Sequence, residues 1–338
     1  MDETNYSGYQ NPRSPYGNKD NPSDQDYDQF NKPTSAYTKK DDNPATQAGA
    51  GFGNGVNLQP SYSNGGNADL GWSLMKENKK IQTVRIEIEP GQEINAKRWI
   101  KEALDNEYKV IATYHKSSVL ASDDMSELQK AAQWWQANYN ELKKNGAFTI
   151  NLMNEWGSHV ISSNDYASAY NKAIATVRSV YANPIIIDIP GYGQETLTAV
   201  DAVKGTTGTM ITDKDIILSF HIYPGAWNQR RNRGLTNGDL DEMASTGLTC
   251  MVGEFGNKSI SKPATSWSSL VDYAKSKGWP IIGWAWGGDN TMGNGSSQNM
   301  NMLKSENMEK IGTFEPYSPG NTVQYSKSNY FETVYEKL

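Results

Sequence analysis

The stretch "NLMNEWGSHV", Asn151 to Val160, sets an amide, a carboxylate and an indole (Asn154, Glu155 and Trp156) directly after an apolar run, Ala147 to Met153. A second carboxylate, Glu254, ends another short apolar run in "LTCMVGEFGNK". Two carboxyl groups brought together can divide their work, one donating a proton while the other stays ionised, because each environment sets its own protonation state. Both stand where a buried strand would run out, so they are candidates for such a pair. Further polar or aromatic groups recur at the same kind of place: Arg85 in "TVRIEIE", His115 after "KVIATY", His221 and Tyr223 in "IILSFHIY", Trp284 and Trp286 in "PIIGWAW". Singly, a strand-end Glu reads as a loop ion pair and a strand Trp as core. Polar groups at the ends of six different strands are hard to ascribe to chance.

Such groups must be positioned by a scaffold. From Gly51 onward, eight short runs rich in Val and Ile alternate with amphipathic stretches. The runs begin at Gly55, Thr83, Lys109, Ala147, Pro184, Ile216, Thr249 and Pro280. Their near-continuous apolar character suits parallel strands buried on both faces. The stretches between them read as helices. One carries Ile94, Trp99, Ile100, Ala103 and Leu104 at helical spacing, and another opens on Ser126 as N-cap and closes on Lys, Lys, Asn, Gly. Trp134 and Trp135 fall inside that second helix and read as packing. Strand and helix alternating in this way predict a single (β/α)8 barrel over 49–338, whose active site would gather at the C-terminal strand ends. The main alternative, a doubly wound open sheet, usually carries a Gly-rich phosphate loop after its first strand. Here "SYSNGGN" follows, without G-x-G-x-x-G spacing.

Residues 1–48 are different. They contain no Val, Leu or Ile and are dense in Asn, Asp, Ser, Pro, Gly and Tyr. Such a segment buries too little apolar area to offset its ordering entropy, so it reads as a disordered tail or linker, or else as a strap on the surface. The net charge of −6, with no basic stripe, argues against nucleic acid as a partner. No run is long enough to cross a membrane. "MDETNYSGYQ" lacks the apolar core of a signal peptide, which suggests a mature form if the protein is exported. The single cysteine, Cys250, lies in an apolar run and reads as a packed thiol. With three His, no HExxH and no Cys cluster, no metal or other cofactor is expected. The Asn- and Gly-rich run from Gly287 is the one candidate for holding Ca2+ against that expectation.

The constellation resembles glycoside hydrolase family 5, within the clan of retaining (β/α)8 glycosidases. That family carries Arg on strand two, His on strand three, Asn-Glu on strand four, His-x-Tyr on strand six, Glu on strand seven and Trp on strand eight. The matching residues here are Arg85, His115, Asn154 with Glu155, His221 with Tyr223, Glu254 and Trp286. Trp156 departs from a common Asn-Glu-Pro. The resemblance implies that Glu254 attacks the anomeric carbon and that Glu155 serves as acid and then base. It implies that Arg85 and Tyr223 hold Glu254, that His221 bonds near Glu155, that Asn154 meets the sugar 2-hydroxyl and that His115 lines the sugar site. Trp286 would be the stacking platform, with Trp284, on the same strand face by spacing, as second choice. Tyr192 and Gln194 after strand five are candidates for sugar contact or for a structural turn. Trp227, Trp156 and His159 are candidates for lining a groove.

The implied activity is endo-acting cleavage of β-1,4-linked polysaccharide by a secreted monomer. "IIIDIPGYGQE", "NEWG" and "MVGEFG" are similar to bacterial-type endo-β-mannanases, so mannan or glucomannan is expected before cellulose. A Ser-His-Asp hydrolase lacks its G-x-S-x-G elbow. A non-catalytic carbohydrate-binding barrel would be free to lose either Glu, and both are present. A transglycosylase would use the same two.

Overall fold

All eight apolar runs form strands that pair in parallel and close on themselves in the computed structural model. The structure describes residues 51–257, 266–289, 299–305, 314–320 and 323–338. The N-terminal segment 1–48, and 290–298 of the Asn- and Gly-rich run, lie outside the described residues. The strands are β1 (Gly55–Leu58), β2 (Thr83–Ile88), β3 (Lys109–Tyr114), β4 (Thr149–Asn151), β5 (Ile185–Asp188), β6 (Ile216–Ile222), β7 (Thr249–Phe255) and β8 (Ile281–Gly287). Neighbours in sequence are neighbours in the wall, and β8 returns to β1. Helices follow the strands in order: α1 (Trp72–Lys76), α2 (Glu93–Asp105), α3 (Met125–Leu142), α4 (Ser163–Arg178), α5 (Thr196–Lys204), α6 (Asn237–Ala244), α7 (Trp267–Ser276) and α8 (Phe331–Tyr335). This is a (β/α)8 barrel. Among the described residues, no helix is long and apolar enough to cross a membrane.

The inside of the barrel is layered. Ile111, Ile186, Ile217, Met251 and Ile282 pack together, with Phe52 laid against them. Nearer the C-terminal ends the layer turns polar: Asn57, Arg85, Glu87, Thr113, Asn151 and Asp188 are all fully buried. The register sets Asn57 beside Arg85, Glu87 beside Thr113, and Thr113 beside Asn151. Alternate residues such as Val84, Ile86, Ala112, Ile187 and Phe220 join the larger core with the helices, as the two-residue period of a strand requires.

Two strands break that period. Phe220 pairs with Val252 and His221 with Glu254, so Gly253 of β7 is an extra residue. On β8, Gly283 pairs with Val56 but Gly287 pairs with Leu58, two extra residues on one side. Such bulges re-aim side chains and are frequent beside active sites.

The helices differ from expectation in two details. α2 buries Ala96, Trp99, Ile100 and Ala103, whereas Ile94, in its first turn, is 88% exposed. α3 is capped by Asp124, whose side chain accepts from the Ser126 N–H, so Ser126 lies in the first turn and not at the cap. A carboxylate meets the helix N-terminus with a full charge where a hydroxyl offers only a dipole.

Candidate active site

Arg85 is the hub of the polar layer. Its Nε donates to Asn151 Oδ1 (2.9 Å), and its Nη1 to Asn57 Oδ1 (2.8 Å), Glu87 Oε1 (2.8 Å) and Glu254 Oε1 (3.0 Å). Its Nη2 donates to Asn154 Oδ1 (2.6 Å) and lies 3.4 Å from Asp188 Oδ2. Burial works against the charge on this guanidinium; the carboxylates of Asp188, Glu87 and Glu254 more than offset it and raise its pKa.

Glu254 has its second oxygen, Oε2, on the Tyr223 hydroxyl at 2.7 Å. Glu155 has Oε1 at 2.8 Å from His221 Nδ1, which is also 3.5 Å from Glu254 Oε2. One donor atom from each of Glu155, His221 and Glu254 lies within 4.8 Å of the others. Burial pushes the Glu254 carboxyl up to about 8; Glu155 and Glu87 push the same way, while His221 and Arg85 oppose. His221 is lowered by burial, but the charges of Glu254, Asp188 and Glu155 carry it up to about 9. Two donors, from Arg85 and Tyr223, face Glu254 and favour the anion there.

His115 is fixed between two more carboxylates, with Nδ1 2.9 Å from Glu89 Oε1 and Nε2 3.4 Å from Glu87 Oε2. Burial lowers it, and Glu87 with Glu89 raises it further, to about 9. Tyr62 closes this group by donating to Glu89 Oε1 at 3.1 Å.

Of the two β8 indoles, the structure brings Trp284 to the site. It packs with Tyr223, Met300, Tyr192 and Tyr330, and its N–H donates to Asp289 Oδ1 at 3.2 Å. Trp286 has no exposed surface, packs edge-on to Phe331, and donates to the Leu70 carbonyl at 2.9 Å. The bulge on β8 sends the two indoles apart, so the expectation that Trp286 forms the platform is corrected. Trp156 is corrected likewise. It is fully buried against Tyr166 and Tyr170, with its N–H on the Asp124 carbonyl. Gln194 is also fully buried and braces the turn, its Oε1 accepting from the Trp227 N–H at 2.7 Å. Trp227, 8% exposed against 7% for Trp284, bonds Gln229, and Gln194 offers a sugar no open face. Tyr192 is half-buried, in left-handed backbone at φ 57°, and packs on the Trp284 and Tyr223 cluster. His159 stands beside it, with Nδ1 on Glu195 Oε1 at 2.7 Å.

Sequence reasoning missed the buried supports Asn57, Glu87, Glu89, Asn151 and Asp188. The available signal was a charge inside an apolar run, as in "TVRIEIE" and "PIIIDIP". A cation could in principle use Glu155, His221 and Glu254. However, His221 Nδ1 already bonds Glu155, and a buried guanidinium stands 3.0 Å from Glu254, so the donor set fits proton transfer better than a metal.

A closed parallel barrel with two buried carboxyl groups facing each other at its C-terminal mouth defines the class of the barrel glycoside hydrolases. The family model described as cellulase (glycosyl hydrolase family 5) matches residues 69–290, and the chain belongs to that family. A comparison with curated proteins returned no match. Similar solved structures include the catalytic domain of a mannanase from Streptomyces sp. SirexAA-E (TM-score 0.57, 18% identity, covering 71% of this chain and 76% of that one). An endoglucanase catalytic domain from Thermobifida fusca has TM-score 0.56 and 13% identity, covering 70% and 80%. An endo-β-1,4-glucanase from Xanthomonas axonopodis pv. citri has TM-score 0.54 and 16% identity, covering 85% and 98%.

Proposed function

We propose that this glycoside hydrolase cleaves internal β-1,4 bonds of mannan or glucomannan with retention of configuration. The observation that carries the reading is the carboxyl spacing. Retaining enzymes hold their two carboxyl groups about 5–5.5 Å apart, whereas inverting ones leave about 6.5–9.5 Å for a water; here oxygens of Glu155 and Glu254 lie within 4.8 Å. Glu254, held by Arg85 and Tyr223, attacks the anomeric carbon in its anionic form. Glu155 gives its proton to the leaving oxygen and later takes one from the water that releases the sugar. His221 bonds Glu155 throughout. The Asn154 oxygen is held by Arg85, which leaves its amide N–H groups for the sugar 2-hydroxyl. Trp284 offers the apolar face for stacking, and charged His115 lines the sugar site. Mannanases and endoglucanases both stand among the similar structures; the motifs "GYGQE", "NEWG" and "MVGEFG" incline the reading to mannan. Since such polymers cannot cross a membrane, the enzyme is read as acting outside the cell, as a monomer.

The test is release of reducing ends from mannan, glucomannan, carboxymethyl-cellulose and xylan side by side, with the configuration of the first product followed by NMR. Mannan or glucomannan should be cut fastest, giving β-configured ends. Preference for carboxymethyl-cellulose would make the enzyme an endoglucanase, and an α-configured first product would overturn retention.

A further inference from the structure

We propose that Asp188, at the end of β5, is a positioning residue that holds Glu155 in the geometry acid catalysis needs. The proposal rests on the reading of Glu155 as the acid. Asp188 is fully buried. Its Oδ2 accepts from the Glu155 N–H at 3.0 Å and lies 3.4 Å from Arg85 Nη2 and 3.5 Å from His221 Nε2. Its Oδ1 accepts from Asn151 Nδ2 at 3.3 Å. Its own carbonyl accepts from the Tyr166 hydroxyl at 2.7 Å and the Tyr170 hydroxyl at 3.4 Å, which ties the end of β5 to α4.

The backbone of Glu155 shows why such a support is needed. Its φ is +49°, in the left-handed region that a residue with a Cβ enters only at a cost of about 1–2 kcal/mol. Two hydrogen bonds hold it there: its carbonyl accepts from the Ala121 N–H at 2.7 Å, and its N–H meets the Asp188 carboxylate. A bond to a full negative charge is roughly twice as strong as one between neutral groups. The same carboxylate faces the far nitrogen of His221, while Glu155 and Glu254 face the near one. Around that imidazole stand Asp188 from β5, Glu155 after β4, Glu254 from β7 and, one bond further, Arg85 from β2. Asp188 thus bonds the main chain of Glu155 and sets its charge beside the imidazole that the Glu155 side chain bonds, without a hydrogen bond to it. An Asn at this position keeps the volume and one acceptor. It also turns an N–H2 group toward Arg85 and His221, which are donors themselves, and it removes a negative charge from beneath the imidazole.

A plain alternative is that Asp188 only balances the charge of Arg85. Leaving-group dependence separates the two roles, because only the acid becomes dispensable when the leaving group is good. Asp188→Asn should lower kcat/KM on the polysaccharide about 100-fold, the lower end of what general acid catalysis supplies. It should leave the first-turnover burst with a dinitrophenyl glycoside within about tenfold of the unmodified enzyme. The basic limb of the kcat/KM profile should move to lower pH, because one fewer negative charge holds the proton of His221. An equal loss on both substrates, an unmoved basic limb, or no loss at all overturns the proposal. In the unmodified enzyme, the Glu155 amide should exchange with solvent as slowly as amides inside β4. Exchange at the rate of an unprotected amide overturns the bracing even if the variant fails to fold. An unmodified enzyme inert on all four polymers defeats the functional reading instead, and amide exchange then judges the bracing alone.

Discussion

The two tryptophans of β8 should fail in opposite ways when removed. Trp286→Ala deletes a side chain with no exposed surface and leaves the Leu70 carbonyl without its donor. Loss of a buried Trp costs about 3–5 kcal/mol, and the orphaned carbonyl adds about 1–3 kcal/mol if no water reaches it. With an unfolding entropy of ~2.1 cal/mol/K per residue over the roughly 290 residues 49–338, each kcal/mol lowers Tm by about 1.6 °C. Tm should therefore fall by roughly 6–13 °C. At 25 °C, well below the midpoint, kcat/KM should stay within about threefold, since the indole lies behind the strand and not in the site. Trp284→Ala also leaves a gap among Tyr223, Met300 and Tyr330 and will lose some stability. Its distinguishing effect is on turnover: loss of ~1–3 kcal/mol of stacking, by analogy with bases on aromatic side chains, lowers kcat/KM about 5- to 150-fold. Thermal melts and initial rates on one soluble polysaccharide make the comparison. Normal kinetics in folded Trp284→Ala, with a large kinetic loss in Trp286→Ala at 25 °C, would refute the assignment of faces.

Glu254→Ala should abolish hydrolysis of natural and activated substrates alike, because no glycosyl-enzyme can form. Glu155→Ala should still be glycosylated by a dinitrophenyl glycoside and should be rescued by azide as the β-glycosyl azide; rescue of that kind in Glu254→Ala and none in Glu155→Ala would reverse the roles. Stability should fall between about pH 6 and about pH 9. His115 and His221 have folded pKa values raised from 6.5 to about 9, so what they contribute is complete below 6.5 and lost as pH rises through 9. Glu254, raised from 4.5 to about 8, acts in the same direction over a lower window, and a melting temperature that is flat or rising over this range would contradict all three. Removing residues 1–48 should leave Tm within about 2 °C, because that segment lacks the apolar content to contribute a core. Extending the deletion through Phe52 should lower Tm by several degrees, since this ring lies against the apolar layer of Ile111, Ile186, Ile217, Met251 and Ile282; equal melts for the two truncations would show that Phe52 is dispensable.

The eight strands were legible because buried parallel strands leave a signal that survives without any alignment: short Val- and Ile-rich runs at even spacing. Glu155, Glu254, His221, Tyr223 and Arg85 were legible because polar groups at the ends of such runs have one mouth to point into. The β8 indoles were not. In a regular strand residues two apart share a face, so "WAW" offers no choice between Trp284 and Trp286, and the bulge that separates them arises from pairing with β1 and β7. Trp156 misled for a related reason, since its chain leaves Glu155 in left-handed backbone and the next side chain turns into the core. Asp188 was hidden by its neighbours. "PIIIDIP" reads as one apolar strand, and only the cross-barrel partners show what a lone carboxylate does there. The helix cap slipped from Ser126 to Asp124 because several residues in that turn can cap, and propensity alone does not rank them.

The reach of Arg85 has a consequence for how the chain folds. Its partners lie on β1, β2, β4, β5 and β7, and Glu254 is separated from it by 169 residues of sequence. A chain that has built only its first five strands can already supply Asn57, Glu87, Asn151 and Asp188, enough to shelter the guanidinium. It has neither the nucleophile nor its Tyr223 donor. Contacts this distant form late, because the intervening loop must close before they return any energy. Helix signal and tryptophan burial should therefore recover ahead of enzymatic activity during refolding, with the lag marking the arrival of β6 to β8. A half-barrel stalled before that step would be compact and rich in helix, and would present the unpaired edges of β1 and β5 to other chains. For an enzyme of this architecture, those two edges are where aggregation in a refolding mixture should begin.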